Sequence, residues 1–168
     1  AMLSVICYID IDNYEGVTSR LSQEEISGIN VQIDHLISKF ALSLQAMMLK
    51  YEDDRYLLCF ENRNLPYAQQ SKFHILDEVR TIRTSEGLNP TLCIAAGIGA
   101  NPVQSNAFAR KALELAEGRG GDQAVVKDTE GYRFYGGVQK AVEVNSRVRS
   151  RTVAKALRNL MEQCNHIV

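Results

Sequence analysis

Apolar residues recur along the chain with two periods, and these periods predict the order of strands and helices. Continuous apolar runs predict buried strands over 4–10 and 91–100. Isoleucines at helical spacing follow a capping box of Ser22 and Glu25, and this pattern predicts an amphipathic helix over 22–44. The same reasoning predicts a β-hairpin over 47–63, helices over 67–85 and 105–118, strands over 123–127 and 132–137, and a C-terminal helix over 146–164.

This order of elements predicts an α+β fold, with one antiparallel-rich sheet flanked by helices. The chain has 168 residues, of which 45% are hydrophobic, so it can bury one full core. We therefore expect a single domain over 2–137, followed by a basic linker helix within 138–168. The apolar side of that helix has no place in the predicted core, so we expect it to contact another domain or a second copy of the chain.

Composition and charge narrow the range of functions. A formal net charge of -1 provides no field that would attract nucleic acid, so we expect no nucleic-acid partner. The four cysteines and three histidines lack the spacing of a metal site, and no segment has the pattern of a membrane span or a signal peptide. We therefore expect a soluble piece of a cytosolic protein whose cysteines are reduced.

The glycine-rich run GRGGDQ at 118–123 invites two interpretations. A phosphate-binding loop follows a strand and precedes a helix, so that the helix N-terminus faces the anion. Here the glycines follow a predicted helix and precede a predicted strand. The order predicts a helix end at Gly118 and a turn into the next strand, and it argues against a nucleotide-binding loop.

Four segments together resemble a known family. They are IDIDNY at 9–14, YEDDRYLL at 51–58, ARKALELAEGRGGDQAVVK at 109–127 and FYGG at 134–137. Together they resemble the degenerate GGDEF domain of GdpP-type cyclic-di-AMP phosphodiesterases. In that family, the domain lies between a PAS domain and a DHH-type phosphodiesterase domain of a membrane-anchored sensor. The resemblance therefore implies a regulatory domain at the cytoplasmic face of the membrane, with a chain that ends before the DHH domain.

The resemblance also implies a set of site residues. Active cyclases of this kind hold a divalent metal against a triphosphate with a D-x-D motif and acids of the GGDEF signature. Asp10 and Asp12 stand at the two D-x-D positions, and Asp54 retains the third signature position. The resemblance thus implies that Asp10 and Asp54 are the catalytic and metal-binding residues, with Mg²⁺ or Mn²⁺ bound together with ATP. Four residues are expected to contact the nucleotide: Asp12, Tyr14, Arg55 and Arg119.

Several positions depart from the cyclase pattern. Glu52 and Asp53 replace the glycine pair of the signature, and Arg55 replaces its fourth residue, an acid. Side chains at the glycine positions obstruct the nucleotide, and an arginine weakens cation binding while it offers a phosphate donor. Three further positions lose the residues that read guanine or face phosphate: Thr18, Ser27 and Glu117. These changes predict no diguanylate cyclase activity.

Two functions follow from the sequence. The first is regulatory binding of ATP or another nucleotide, with at most slow metal-dependent hydrolysis. The second is a ligand-free relay or homodimerisation module between a sensor and the phosphodiesterase. Without the resemblance, Asp12 is equally well a helix cap, and Asp53 and Asp54 are ordinary turn residues.

Overall fold

The computed structural model describes residues 2–136, which form one six-stranded sheet with helices on both faces. The strand order is β2-β3-β1-β4-β5-β6, and every neighbouring pair is antiparallel except β4 and β5. The strands are β1 (Ser4–Ile11), β2 (Met47–Glu52), β3 (Arg55–Glu61), β4 (Leu92–Ile98), β5 (Gln123–Lys127) and β6 (Tyr132–Tyr135). The helices are α1 (Tyr14–Thr18), α2 (Gln23–Ser43), α3 (Leu65–Gln70), α4 (Ile75–Arg80) and α5 (Pro102–Gly118). The predicted antiparallel-rich α+β fold is confirmed.

The main core lies between the sheet and α2. This helix begins at Ser22, whose side chain accepts a hydrogen bond from the backbone N–H of Glu25, so the predicted cap is present. Its buried residues recur at helical spacing and pack on the apolar side chains of β1 and β3 that point to the same face. The buried residues of α2 are Ile29, Ile33, Ile37 and Ala41.

The opposite face of the sheet is only partly covered. Helix α5 packs on β4, β1 and β5 through small side chains, and Gly97 of β4 permits a close approach, because a Cβ there would lie 2.2 Å from the carbonyl oxygen of Ser105. Strand β2 at the sheet edge is exposed along its whole length. The carboxyl end of β1 therefore lies where the covered half of this face meets the open half.

The prediction of a single helix over 67–85 is wrong. The chain forms two short helices, α3 and α4, separated by Lys72 and Phe73 with φ of 54° and 53°. This break turns the ring of Phe73 into the core, where it packs against Phe40 and Tyr135. Burial of that ring offsets the cost of two residues in the left-handed region.

The other predicted elements are present, with shifted ends. Helix α5 begins at Pro102, three residues before the predicted start, because the side chain of Asn101 caps it by accepting from the backbone N–H of Gln104. The predicted linker helix over 146–164, and with it the domain boundary at 138, lies outside the described residues. None of the helices in the described part combines the length and apolarity needed to cross a bilayer.

Candidate functional site

Asp10 is a buried acid whose charge is poorly compensated. It lies at the carboxyl end of β1, where it pairs with Arg55 of β3 and Cys93 of β4. It is 8% exposed, and its Oδ1 has no hydrogen-bond partner among the described residues. Its Oδ2 lies 3.9 Å from Nε of Arg55. Burial and the nearby Glu117 carboxylate raise the pKa of Asp10 to about 7, although Arg55 acts in the opposite direction.

The Asp10 carboxylate opens into a cleft of about 510 Å³ between the β2–β3 hairpin and α5. Three leucines and two tyrosines line the cleft together with two acids and two arginines. Its lining residues are Tyr8, Asp10, Leu49, Tyr51, Arg55, Leu57, Arg110, Leu113 and Glu117. The guanidinium of Arg110 lies 5.6 Å from the centroid of the Tyr8 ring. The arrangement suits a ligand with a flat apolar part and an anionic part.

The apex of the β2–β3 hairpin is tied to the end of β1. The backbone carbonyl of Asp54 accepts a hydrogen bond of 2.9 Å from the N–H of Ile11. Nε of Arg55 lies 3.8 Å from a carboxylate oxygen of Glu52, so Arg55 is shared between this acid and Asp10. The structure brings Asp10, Asp54 and Arg55 together, although the side chain of Asp54 does not line the cleft. Their roles in metal and nucleotide binding stay predictions.

Asp12 points to a different place and is engaged in hydrogen bonds within the fold. Its Oδ2 accepts from the hydroxyl of Thr91 and from the backbone N–H of Asp122, both at 2.8 Å. Burial raises the pKa of Asp12 to about 6, although both hydrogen bonds act in the opposite direction. Asp12 does not line the cleft. Its predicted contact with a nucleotide is untested by this geometry.

The glycine-rich turn after α5 packs directly on Asp12. Helix α5 ends at Gly118, as the sequence predicts, and Gly121 has a φ of 71°. A Cβ at Gly121 would lie 2.4 Å from Oδ1 of Asp12, so the close approach requires glycine. The GGD segment is therefore a structural turn that packs against Asp12.

Arg80 extends this network, and sequence reasoning did not find it. Its Nε donates to the Asp122 carboxylate at 2.8 and 3.0 Å. A terminal nitrogen donates to the backbone carbonyls of Asp122 at 3.2 Å and Gly136 at 2.9 Å. Arg80 thus joins α4, the glycine-rich turn and the end of β6. No local pattern marks this arginine, since its partners lie 42 and 56 positions away in the chain.

Tyr14 and Arg119 lie outside the cleft. The Tyr14 hydroxyl donates to Oδ1 of Asn30 at 3.0 Å, and its ring packs against the main core. The guanidinium of Arg119 lies 4.0 Å from the centroid of the Phe134 ring, and its Nε donates to Gln123 at 2.8 Å. The structure therefore does not group these two residues with Asp10, and their predicted nucleotide contacts stay predictions.

Glu117 joins the site at Asp10, and the resemblance gives it the position of a phosphate-facing residue without predicting that it neighbours Asp10. It lies in the last turn of α5 and lines the same cleft as Asp10, where its charge raises the pKa of the Asp10 carboxyl group. A signal was available, because a strand-helix-strand crossover returns the C-terminus of its helix to the sheet edge at which the next parallel strand begins. That edge is also the one where β1 ends.

The residues around Asp10 fit a divalent cation that phosphates would help to hold. In residues 2–136, no three or more histidine, cysteine, aspartate or glutamate side chains are arranged to hold a metal by themselves. Mg²⁺ commonly uses one or two carboxylates together with water and phosphate oxygens. Asp10, with its unpartnered buried oxygen, and the adjacent Glu117 provide two such carboxylates.

Comparisons with known proteins agree on one family. Residues 9–134 match the family model described as Cyclic-di-AMP phosphodiesterase GdpP-like, GGDEF domain. The chain is 31% identical over 167 residues to cyclic-di-AMP phosphodiesterase GdpP of Bacillus subtilis, covering 98% of this chain and 25% of that protein. It is 31% identical over 166 residues to cyclic-di-AMP phosphodiesterase PdeA of Listeria monocytogenes, with the same coverage of 98% and 25%. The chain thus spans about a quarter of the length of these relatives.

A solved structure agrees on the fold. The active GGEEF domain of a diguanylate cyclase from Vibrio cholerae superposes with a TM-score of 0.62 and 13% sequence identity. The match covers 74% of this chain and 82% of that one. At this level of identity, the similarity concerns the arrangement of the sheet and helices.

Proposed function

The chain belongs to the family of GGDEF domains of GdpP-like cyclic-di-AMP phosphodiesterases, and from that premise we propose that it is a degenerate, regulatory member that binds ATP. The nucleotide occupies the cleft beside Asp10 together with Mg²⁺ or Mn²⁺. Hydrolysis of ATP is slow or absent, and no cyclic-di-GMP is made. In the parent protein, which we propose to be membrane-anchored, the domain regulates a DHH phosphodiesterase and lies beside a PAS domain.

One observation carries the proposal: a buried, undercompensated carboxylate opens into a cleft that three leucines and two arginines line. The side chains of Leu49, Leu57 and Leu113 suit a purine ring. Arg55 and Arg110 suit phosphate oxygens. A cation beside Asp10 would neutralise the charge of both the carboxylate and the phosphates.

The same surroundings argue against cyclase activity. Glu52 and Asp53 place side chains at the hairpin apex, where the cyclase signature has glycines. Arg55 occupies the space between Asp10 and Glu52. On the α1 side, the hydroxyl of Thr18 donates to the carbonyl of Tyr14 at 2.8 Å instead of presenting a donor to a base. Loss of several preorganised contacts removes most of the stabilisation of a transition state.

Slow hydrolysis of ATP requires few groups. Water would attack the γ-phosphorus as the bond to the β–γ bridging oxygen breaks, so that ADP leaves and the proton of the water passes to solvent. Arg55 would stabilise the charge that develops on the phosphate oxygens, and Asp10 would hold the cation that neutralises them. The resemblance alone implies a second metal contact at Asp54 and an alternative phosphate contact at Arg119, and neither side chain lines the cleft. Neither assignment is needed for binding itself.

Calorimetric titration of ATP with Mg²⁺ into the 168-residue chain tests the proposal. We expect binding by the wild type, and a loss of affinity of about tenfold or more in Asp10→Ala, because the cation loses its buried ligand. Glu114→Ala is the matched control, since Glu114 is an exposed acid on α5 outside the cleft, and it is expected to bind normally.

Two results would contradict nucleotide binding when they occur together. They are no heat at high micromolar protein, and phosphate release that Asp10→Ala leaves unchanged. The ligand-free relay or dimerisation module would then be the function that remains. Synthesis of cyclic-di-GMP from GTP by the purified chain would contradict the absence of cyclase activity.

A further inference from the structure

Three sources of negative potential converge at the mouth of the cleft. The Asp10 carboxylate closes β1, and the Glu117 side chain lines the same cleft. The third source is the C-terminus of α5, a helix of 17 residues whose last turn contains Glu117 and no basic residue. Ionised carboxylates only accept hydrogen bonds and repel each other, so a proton or a cation bound between neighbouring carboxylates would stabilise both.

The cations of the cleft do not balance this potential. Arg55 lies 3.9 Å from Oδ2 of Asp10, but it is also 3.8 Å from Glu52 and is largely exposed to solvent. Arg110 lies against the ring of Tyr8. Oδ1 of Asp10 is buried, and no described residue donates a hydrogen bond to it. A polar oxygen of this kind is a place where a ligand completes the structure.

We propose that Glu117, in place of the hairpin acid Asp54, supplies the second carboxylate of the divalent-cation site at Asp10. This inference deepens the proposed function, on which it rests for the location of the site. Glu117 is exposed, so a hydrated cation can reach it without unfolding of the helix. Mg²⁺ and Mn²⁺ bound by two carboxylates keep several positions for water or phosphate.

Asp54 is less well placed for this role. Its backbone carbonyl accepts from Ile11, which holds the hairpin against β1, but its side chain is not part of the cleft lining. Its charge also acts on Asp10 more weakly than the charge of Glu117 does. Asp54 therefore holds the hairpin apex against β1 through its backbone carbonyl, whereas Glu117 supplies the second carboxylate of the cation site.

Arg55 has a second role in this arrangement. Because its guanidinium neighbours Oδ2 of Asp10, it competes with a cation for the same carboxylate. Removal of Arg55 is expected to tighten the binding of a metal that is added without nucleotide. This outcome separates a cation site from a salt bridge that merely stabilises the hairpin.

The test is titration of Mn²⁺ alone, without nucleotide, into the 168-residue chain, with free Mn²⁺ measured by electron paramagnetic resonance. The wild type is expected to bind one Mn²⁺. Glu117→Gln and Asp10→Asn should each weaken binding by about tenfold or more, Arg55→Gln should tighten it, and Asp54→Asn should change it by about twofold or less. Glu114→Gln is the matched control, because it removes the same charge from an exposed position on the same helix.

Circular dichroism establishes that each variant is folded. If Glu117→Gln does not fold, Glu117→Lys replaces it, because a fixed ammonium group supplies the missing positive charge. That variant is expected to unfold at a higher temperature than the metal-free wild type and to bind no Mn²⁺.

Four results would overturn the inference: no Mn²⁺ bound by the wild type at about 10 mM metal, Glu117→Gln equal to the wild type, Glu117→Lys binding Mn²⁺ like the wild type, or Asp54→Asn weakening binding more than Glu117→Gln. Its failure is distinguishable from that of the proposed function. If Mn²⁺ binding depends on Glu117 but ATP gives no heat, the inference stands and nucleotide binding fails. If ATP binds but Glu117→Gln has the same Mn²⁺ affinity as the wild type, only the inference fails.

Discussion

Asp10 and Asp12 are two residues apart and meet opposite environments. Asp12 is held by two hydrogen bonds, one from Thr91 and one from the backbone of Asp122. Asp10 has a buried oxygen without a donor and an acidic neighbour. Asp10 lies within β1 and lines the cleft, whereas Asp12 follows the end of the strand and does not. The difference comes from what the neighbouring elements bring to each carboxylate.

The buried Asp10 predicts a specific dependence of stability on pH. Its pKa is raised from 3.8 to about 7 in the folded chain, so its protonated form favours folding. This contribution is fully present below about pH 4 and is lost as pH rises through about 7. In EDTA, the free energy of unfolding of the wild type, relative to Asp10→Asn, should fall by about 2–3 kcal/mol between about pH 5 and pH 8.

Urea unfolding at the two pH values measures this difference. The raised pKa of Asp12 makes the same pH-dependent contribution to the free energy of unfolding of both proteins, so this contribution cancels in the comparison. Asp53→Asn, at the exposed apex of the hairpin, serves as the control and should parallel the wild type. A relative stability of Asp10→Asn that does not change with pH would show that Asp10 is not a buried, uncompensated acid.

At the residue scale, the sequence predicts the acid that ends β1 and the hairpin apex beside it, because both follow from local patterns. It does not predict that Glu117 meets Asp10. That contact depends on how α5 is rotated on the sheet, and the rotation is set by packing of its buried small side chains against β4 and β5. Helical periodicity indicates which face is buried, but it does not indicate which exposed residue faces a distant carboxylate.

At the scale of elements, the turn between α5 and β5 packs against the end of β1, where the candidate site lies. The turn follows a helix and precedes a strand, and Gly121 serves its backbone geometry. The backbone N–H of Asp122 in this turn donates a hydrogen bond to the Asp12 carboxylate, and Gly121 packs against the same carboxylate. A change in the turn should therefore act on the end of β1.

Gly121→Ala tests this packing against a matched control. Gly121 and Gly87 have similar φ values of 71° and 77°, so alanine is strained at both. Only at Gly121 does a Cβ meet another group, since nothing lies within 4 Å of one at Gly87. We expect Gly121→Ala to lower the free energy of unfolding by about 2–4 kcal/mol and Gly87→Ala by about 1 kcal/mol, measured by urea unfolding. Equal losses in the two variants would contradict the close contact with Asp12.

The helical region after the hairpin shows where element prediction fails. An apolar stripe at helical spacing predicts one helix over 67–85, yet the chain is interrupted at Lys72 and Phe73. The stripe itself is correct, because Phe73, Leu76 and Val79 are all buried. Periodicity identified the buried face but not the break, which arises from tertiary packing of the Phe73 ring and not from a local stop signal.

At the scale of the whole molecule, the sheet brings the candidate site and the end of the described chain to one edge. Strand β6 is antiparallel to β5, β5 is parallel to β4, and β4 is antiparallel to β1, so β6 ends at the edge where β1 ends. Arg80 bonds to both Asp122 and the carbonyl of Gly136 at this edge. A ligand at Asp10 would thus bind at the same sheet edge as the end of β6, with β4 and β5 between them.

A crystal of the chain soaked with ATP and Mn²⁺ tests the cleft most directly, provided that its lattice leaves the cleft open. We predict anomalous density for Mn²⁺ beside Oδ1 of Asp10, phosphate density between that ion and Arg55, and a purine ring over Leu49 and Leu57. An empty cleft under these conditions, or a nucleotide bound away from Asp10, would contradict a nucleotide site at the end of β1.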